Sequence, residues 1–195
     1  MAINIVVMAS GSGSNAENIF ITANNESKLH VVGLICDQPK ALVLDRARLH
    51  GVPSFLIPSK GISREEHGRL VTEQLLKLDA HWILLAGYMR ILPDVFIKTF
   101  SLPNGKSKII NIHPSLLPDF KGLRAYERSF ESDKAYGGVT LHFVNEQLDS
   151  GEIILQEKLP KVAGEKIEDF IERGKALEHV LYQKLLVKLV EEELL

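Results

Sequence analysis

The chain has 195 residues, of which 45% are hydrophobic and 25% are charged, a balance typical of a globular protein with one sizeable core. Its net charge of −2 gives no electrostatic reason to expect a nucleic acid or an anionic membrane as partner. The single cysteine, Cys36, excludes an intramolecular disulfide and a cysteine-based zinc site. Its apolar surroundings predict a buried thiol. A chain that cannot form an intramolecular disulfide fits a reducing cytosol.

The N-terminal segment MAINIVVMASGSGSN lacks a basic region and reaches glycine after a few apolar residues. It therefore predicts a strand rather than a signal peptide. No run approaches the 18 or so apolar residues that a membrane span requires. We expect a cytoplasmic protein without membrane contact, folded as one domain over residues 1–195.

Short apolar runs alternate with helical patterns through the first two-thirds of the chain. The runs predicted to form strands are residues 3–9, 30–36, 53–58, 81–87 and 108–113. Most are continuously apolar, which is typical of strands buried on both faces, and helical spacing between them is clearest over residues 64–78. This order predicts an α/β, Rossmann-like open sheet, mostly parallel, with helices on both faces.

The pattern changes after residue 135. Residues 137–144 and 152–160 are predicted strands, and the connection between them is too short for a helical crossover. We therefore expect a C-terminal antiparallel hairpin, which makes the sheet mixed, followed by a long helix from about residue 166 to residue 194. Ligands of open α/β sheets bind beyond the carboxyl ends of the strands, so the loops there are the candidates for a site.

A glycine-rich loop follows the first predicted strand and opens a helix. Gly11 and Gly13 allow backbone conformations closed to other residues, and Ser14 and Asn15 stand at the helix start. Backbone N–H groups and the helix dipole there would hold an anion, most simply a phosphate. A tight turn with a capping Ser or Asn explains the same residues without a ligand.

A second functional interpretation of this loop is dinucleotide binding. Gly11-x-Gly13-x-x-Ala16 matches that fingerprint, and Asp37 ends the second predicted strand about 20 residues later. This pattern indicates an NAD-dependent oxidoreductase. It leaves the polar residues later in the chain unexplained.

Those polar residues begin at the end of the strand over residues 108–113. Asn111 and His113 lie two residues apart, so their side chains share a face, and Pro114 ends the strand. An Asn can donate a hydrogen bond to an oxyanion, and an imidazole can transfer protons near neutral pH. Asp149, in the loop between the last two strands, is expected nearby, where its charge would raise the pKa of His113.

This cluster lacks a protein nucleophile, since the chain has no G-x-S-x-G elbow and Cys36 is expected to be buried. Acyl transfer between two bound small molecules fits that constraint. His142 is expected either to be structural or to line the site, and solvent contact is expected for His30, His50, His67 and His81. No His, Asp and Glu set has the spacing of metal ligands, so no metal is expected.

Four segments, GSGSN (11–15), LAGYMRIL (85–92), NIHPSLLP (111–118) and LDSGEIILQ (148–156), occur in the order found in folate-dependent formyltransferases. The chain resembles this family over nearly its whole length. The resemblance implies transfer of a formyl group from the co-substrate 10-formyltetrahydrofolate to the amine of glycinamide ribonucleotide in purine biosynthesis. Formyl transfer to a sugar nucleotide is the alternative within the family.

The resemblance also implies an organisation and partners. Residues 1–100 would form a half that binds nucleotide and phosphate, and residues 101–195 a half that binds folate and performs catalysis. The partners would be these small molecules, with no metal, no nucleic acid and no membrane, and the protein would be a monomer or a homodimer.

Matching positions carry the family's site residues. The catalytic residues would be Asn111, His113 and Asp149, with Asn111 and protonated His113 stabilising the oxyanion. The ribonucleotide would be bound by Gly13, Ser14, Asn15 and Glu178. The folate would be bound by Arg64, Met89, Arg90, Ile91, Leu92, Asn111, Asn145, Glu146, Gln147, Leu148 and Asp149.

One stretch, DFKGLRAY (119–126), departs from the family pattern. Lys121 stands where the family has a proline, and Arg124 and Tyr126 stand where it has two histidines. These three residues are therefore assigned no role from the sequence.

Overall fold

The protein folds as one mixed sheet with helices on both faces, described over residues 2–192 and 194 in a computed structural model. The strands are β1 (Ile3–Ala9), β2 (Leu29–Cys36), β3 (Ser54–Leu56), β4 (Trp82–Leu85), β5 (Ile109–His113), β6 (Tyr136–Phe143) and β7 (Ile153–Pro160). The helices are α1 (Ser14–Asn24), α2 (Val43–Leu49), α3 (Arg64–Lys77), α4 (Asp94–Thr99), α5 (Ala125–Glu131) and α6 (Ile167–Val190).

The strand order is β3-β2-β1-β4-β5-β6-β7, with the first five parallel to one another. β6 pairs antiparallel with β5 and with β7, which confirms the predicted mixed sheet and C-terminal hairpin. The winding direction of the chain reverses between β1 and β4, so the loops after β1, β4 and β5 border one crevice at the carboxyl ends.

The predicted strands agree with the observed ones to within two residues at most ends. The run over 53–58 is the shortest strand observed, Ser54–Leu56. Pro53 and Pro58 flank this strand, and neither has an N–H to donate to a neighbouring strand. β3 therefore ends early at the edge of the sheet.

Two apolar layers sandwich the sheet. On one face α1 and α6 contribute Phe20 and Tyr182, both fully buried against the central strands. On the other face α3 and α4 contribute Leu75 and Phe96. Cys36 is buried in the first layer, as predicted, so its thiol is not available as a nucleophile.

The predicted long helix is observed as α6, which ends at Val190 rather than near residue 194. Of the predicted extension, Glu193 lies outside the described residues. None of the helices within residues 2–192 is long and apolar enough to cross a membrane.

One histidine expected in solvent is in fact buried. His67 lies on α3, and the distance from its Nε2 to the Ile57 carbonyl oxygen is 2.9 Å. The prediction was wrong because the segment after β3 packs over this face of α3, a contact that the local sequence does not encode.

Candidate active site

The end of β5 carries Asn111 and His113 to the carboxyl rim of the sheet, and the loop that follows is anchored to β6 and β7. The Thr140 hydroxyl donates to the Ser115 carbonyl at 2.7 Å and accepts from the Leu117 N–H at 3.2 Å. Gln156 Nε2 donates to the Leu117 carbonyl at 3.0 Å. The Leu117–Pro118 peptide is cis. This anchoring fixes the direction in which the chain leaves His113.

His113 and Asp149 form a buried pair, as the sequence predicts. Nδ1 of His113 lies 3.3 Å from Oδ2 of Asp149, and the two side chains are 6% and 7% exposed. The same carboxylate oxygen accepts from the Gly122 N–H at 2.8 Å. Nε2 of His113 faces the Phe120 carbonyl oxygen at 3.0 Å. Both ring nitrogens of His113 therefore face acceptors, and only the imidazolium satisfies both.

The conformation of the loop that carries Asp149 depends on two backbone features, at Asp149 and at Gly151. Asp149 is in the left-handed region, with φ 46°. Gly151 lies so close to β6 that a Cβ there would be 1.6 Å from the Phe143 carbonyl oxygen. No residue with a side chain fits that approach, which explains the glycine in the LDSG segment.

His142 is both buried and part of the polar cluster, so each of the two expectations for it is met in part. Antiparallel pairing sets His142 opposite Asn111, and their Nε2 and Nδ2 atoms are 3.3 Å apart. Nε2 of His142 is also 3.6 Å from Oδ1 of Asp149. Nδ1 lies 2.8 Å from the Phe143 carbonyl, which can only accept, so Nδ1 carries hydrogen. Nε2 of His142 therefore faces both the Asn111 carboxamide and the Asp149 carboxylate, and it links these two side chains.

The electrostatics of His113 differ from the prediction. Burial has the largest effect and lowers the pKa of His113, while the Phe120 carbonyl and the Asp149 carboxylate raise it. The net pKa lies below the ordinary value. Asp149 acts in the predicted direction, but desolvation outweighs it.

Asp149 is held as a carboxylate. Burial by itself would raise its pKa, but the adjacent His142 side chain, the hydrogen bond from the Gly122 N–H and the nearby His113 together bring the pKa below its ordinary value. The site thus holds a fixed negative charge beside His113, whose imidazolium form loses its proton easily.

The glycine loop is braced against α2. Gly13 has φ 78°, and a Cβ there would lie 2.4 Å from Val43, so only glycine fits this turn into α1. The Gly11 carbonyl accepts from the Val43 N–H at 3.2 Å, and the Ser12 carbonyl accepts from Arg46 Nε at 2.9 Å. With these carbonyls engaged by α2, the N–H groups at the start of α1 are placed at the carboxyl rim.

The structure joins two predicted ribonucleotide residues that are 163 positions apart in the chain. Asn15 Nδ2 donates to Oε2 of Glu178 at 2.5 Å. Oδ1 of Asn15 is buried and has no hydrogen-bond partner among the described residues. Tyr126, to which sequence reasoning assigned no role, donates its hydroxyl hydrogen to Oε1 of Glu178 at 2.6 Å. Only its departure from the family pattern could have drawn attention to it.

The acidic residue that the dinucleotide interpretation requires, Asp37, is not available to a ligand. A cavity of about 530 Å³ opens between residues 10–12 and 38–42, beside the glycine loop. Asp37, however, is 2% exposed, and its Oδ2 accepts hydrogen bonds from Ser59 and Gln38. This carboxylate therefore supports the fold and is not presented to a ribose.

The predicted folate residues after β4 border the same rim. The Met89 N–H donates to the Ser10 hydroxyl at 3.0 Å, which ties this segment to the loop after β1. Met89 and Ile91 are 71% and 63% exposed, whereas Leu92 is buried. Arg90 is exposed between them. Apolar side chains here are thus available to a ligand.

The other predicted folate residues lie on two separate elements. Asn145, Glu146, Gln147 and Leu148 belong to the loop that leads to Asp149, and Leu148 is 58% exposed beside Gly122. Arg64 is the first residue of α3, and its hydrogen bond is to its neighbour Glu65. Arg64 is therefore not brought into contact with the catalytic cluster.

Over residues 2–192 and 194, no group of three or more His, Cys, Asp and Glu side chains is arranged to hold a metal ion. The chemistry of the cluster is that of hydrogen-bond donors, an imidazole and a carboxylate. Such a set of groups is suited to stabilising an oxyanion and transferring a proton.

The chain belongs to the formyl transferase family, whose model matches residues 3–186. It is 35% identical over 186 residues to the phosphoribosylglycinamide formyltransferase of Bacillus subtilis, covering 94% of this chain and 93% of that protein. It is also 36% identical over 184 residues to the trifunctional purine biosynthetic protein adenosine-3 of Bos taurus. That match covers 93% of this chain and 18% of the length of the bovine protein.

Solved structures agree with this assignment. The crystal structure of phosphoribosylglycinamide formyltransferase from Campylobacter jejuni superposes with a TM-score of 0.89 at 35% identity, over 97% of this chain and 98% of that one. The enzyme of the same name from Bacillus halodurans gives a TM-score of 0.89 at 35% identity, over 96% and 95%. The fold of the chain is therefore that of these enzymes.

Proposed function

We propose that the protein transfers the formyl group of 10-formyltetrahydrofolate to the amine of glycinamide ribonucleotide. The observation that carries this proposal is the buried cluster of Asn111, His113 and Asp149 at the carboxyl rim, in a chain of the formyl transferase family. The enzyme needs no nucleophile of its own, because the amine of the acceptor substrate attacks the formyl carbon.

The reaction begins when the amine, as the free base, forms a bond to the formyl carbon and the carbonyl electron pair moves to oxygen. The carboxamide of Asn111, held beside His142, donates a hydrogen bond to the oxyanion. His113 starts neutral because burial lowers its pKa, and takes up the proton released by the amine, directly or through water. The imidazolium then faces two acceptors and the new oxyanion, which together stabilise its charge.

The intermediate collapses when the oxyanion re-forms the carbonyl and the bond from carbon to the folate N10 breaks. The imidazolium of His113 returns its proton to N10, so the ring ends neutral and the proton count balances. Asp149 stays ionised throughout, which favours the charged ring in the middle of the reaction.

The ribonucleotide binds between the glycine loop and α6. Backbone N–H groups of residues 13–15 at the start of α1 receive the phosphate. Asn15 and Glu178 offer buried acceptor atoms to donors on the substrate. This site draws Glu178 from the second half of the chain, so the division at residue 100 describes the order of elements and not a boundary between two sites.

The folate lies along the exposed side chains at residues 89–92, and the loop at residues 145–149 covers it from the opposite side. Met89, Ile91 and Leu148 supply apolar contacts, and Arg64 and Arg90 supply positive charge for the carboxylates of the folate tail. The donor and the acceptor thus approach His113 from two sides of the rim.

The direct test is a spectroscopic assay for deformylation of a 10-formylfolate with and without glycinamide ribonucleotide. Deformylation that depends on the ribonucleotide, with formation of the formylated amine, is the expected result. Equal rates with and without it would refute the transferase proposal. Transfer to the amine of a sugar nucleotide but not to glycinamide ribonucleotide would favour the alternative acceptor.

A further inference from the structure

Glu178 is a buried carboxylate whose two oxygens receive hydrogen bonds from two different elements. Asn15, on α1, donates to Oε2 at 2.5 Å, and Tyr126, on α5, donates to Oε1 at 2.6 Å. Glu178 itself lies on α6 and is 8% exposed. A buried carboxylate is costly unless it is well bonded, and these two donors satisfy both oxygens and fix the direction of the group.

The ring of Tyr126 reaches Glu178 because α6 makes room for it. It packs edge-on against Phe170, with ring centroids 6.2 Å apart at an interplanar angle of 90°. A Cβ on Gly174 would lie 2.3 Å from a ring carbon of Tyr126 and 2.5 Å from its hydroxyl oxygen. Gly174 precedes Glu178 by one helical turn, so both face the ring. Glycine is unfavourable inside a helix, and this contact accounts for it here.

The hydroxyl of Tyr126 acts on Glu178 and not on a ligand. A phenol has one hydrogen, and in Tyr126 that hydrogen is directed at Oε1. Burial first, and the Glu178 charge second, raise the pKa of Tyr126 far above its ordinary value, so the donor persists across the neutral range. Glu178 keeps lone pairs beyond those used by its two donors, and Oδ1 of Asn15, on the amide bonded to Glu178, has no partner among the described residues, so both side chains can accept further hydrogen bonds.

We propose that Tyr126 is a positioning residue for the acceptor substrate: it holds the Glu178 carboxylate so that Glu178 and Asn15 together accept hydrogen bonds from hydroxyl or amine donors of the ribonucleotide. This inference rests on the proposed function. It adds a residue that the family resemblance did not assign. The role is one of substrate affinity and not of chemistry, because Tyr126 touches neither His113 nor Asp149 in any hydrogen bond described here.

The test is steady-state kinetics of Tyr126→Phe, which removes one oxygen and keeps the ring. We expect the KM for glycinamide ribonucleotide to rise about tenfold, the size typical of losing a hydrogen bond to a charged group. The turnover number and the KM for the folate should stay within about twofold, because neither depends on Glu178. The matched control is Tyr136→Phe, at an exposed tyrosine on β6, which should change none of the three.

Gly174→Ala gives a second route to the same result. It keeps every polar group, but the added methyl group would overlap the Tyr126 ring and displace it. The KM for glycinamide ribonucleotide should therefore rise, although alanine is more favourable than glycine in a helix. In the double variant Tyr126→Phe with Glu178→Gln, the KM should be no higher than with Glu178→Gln alone. Thermal unfolding of each variant shows that the chain is folded.

The outcomes separate the two proposals. If the wild-type protein deformylates the folate only with the ribonucleotide, and Tyr126→Phe leaves that KM unchanged or lowers turnover instead, the positioning role is wrong. If the wild-type protein shows no dependence on the ribonucleotide, the proposed function is wrong and the role of Tyr126 toward this substrate falls with it.

Discussion

The proposed catalytic cluster and the proposed folate-facing surface border the same rim, yet they are built in opposite ways. His113, His142 and Asp149 are buried, with both histidines within 3.6 Å of the Asp149 carboxylate and each in contact with a backbone carbonyl. Met89, Ile91 and Leu148 are mostly exposed apolar side chains. The polar groups are thus held in fixed positions, whereas the apolar side chains face solvent.

This difference follows from what each part must supply. Donors and charges stabilise an oxyanion best when they are already oriented in a dry site, because nothing then has to reorganise during the reaction. Apolar surface, in contrast, contributes to affinity only if it is in water before binding and is buried afterwards. Changes in the first region should therefore act on turnover, and changes in the second on affinity.

The largest expected effect comes from His113→Ala, which removes the proton carrier. Turnover should fall by about 10²- to 10⁴-fold, the range typical of a general acid–base group. Binding of the folate and the ribonucleotide, measured by calorimetry, should change little, because the ring is 6% exposed and its bonds are internal. A rise in KM without a fall in turnover would show that His113 contributes to substrate binding and not to catalysis.

Asp149→Asn should lower turnover by about 10²-fold, because the fixed charge that stabilises the imidazolium is lost. The Asp149 charge raises the pKa of His113, so its removal lowers that pKa further. Because the proposed mechanism starts from neutral His113, the loss of activity at the acidic end of the pH profile should then begin at a lower pH. The same change at the exposed Asp133 is the control and should leave the profile in place.

A smaller effect is expected from Ile91→Ala on the folate-facing surface. Loss of part of an apolar contact amounts to about 1 kcal/mol, so the KM for the folate should rise about fivefold with turnover unchanged. Thermal stability should stay the same because Ile91 is exposed. Leu49→Ala, at an exposed leucine of α2, is the matched control, and an equal effect there would mean that exposed apolar side chains act non-specifically.

The smallest effect concerns stability in mild acid. The folded-state pKa of His113 lies below its unfolded value of about 6.5, and that of Asp149 lies below 3.8. A depressed pKa contributes stability that is present above the unfolded value and is lost as the pH falls. The melting temperature should therefore decrease from pH 7 to pH 5, chiefly through His113. His113→Asn should flatten this decrease, whereas the exposed His30→Asn should not.

Much of the fold was accessible from local pattern. β1, β6 and β7 were predicted to within one residue, because continuous apolar runs between glycine and polar loops are a strong signal. The pairing of His113 with Asp149 was also predicted, from the rule that strand ends meet at one rim. The pKa of His113 was not, since it depends on how deeply the pair is buried.

What sequence reasoning missed depends on long-range register and packing. His142 joins the cluster only because β5 and β6 pair in a register that sets it opposite Asn111. Tyr126 meets Glu178 across 52 residues because Gly174 leaves space on α6. Neither contact leaves a local signature, because each residue alone is ordinary for its element.

The position of Gly151 has a consequence for how this protein tolerates change over generations. It touches no proposed substrate, yet its backbone lies against the Phe143 carbonyl where no side chain fits. In saturation mutagenesis under selection for activity, residue 151 should therefore tolerate substitution as poorly as Asp149 does. Its neighbours Ser150 and Glu152 should vary freely. Lineages that vary the length of this loop are then expected to keep a glycine at the point where it returns to β6.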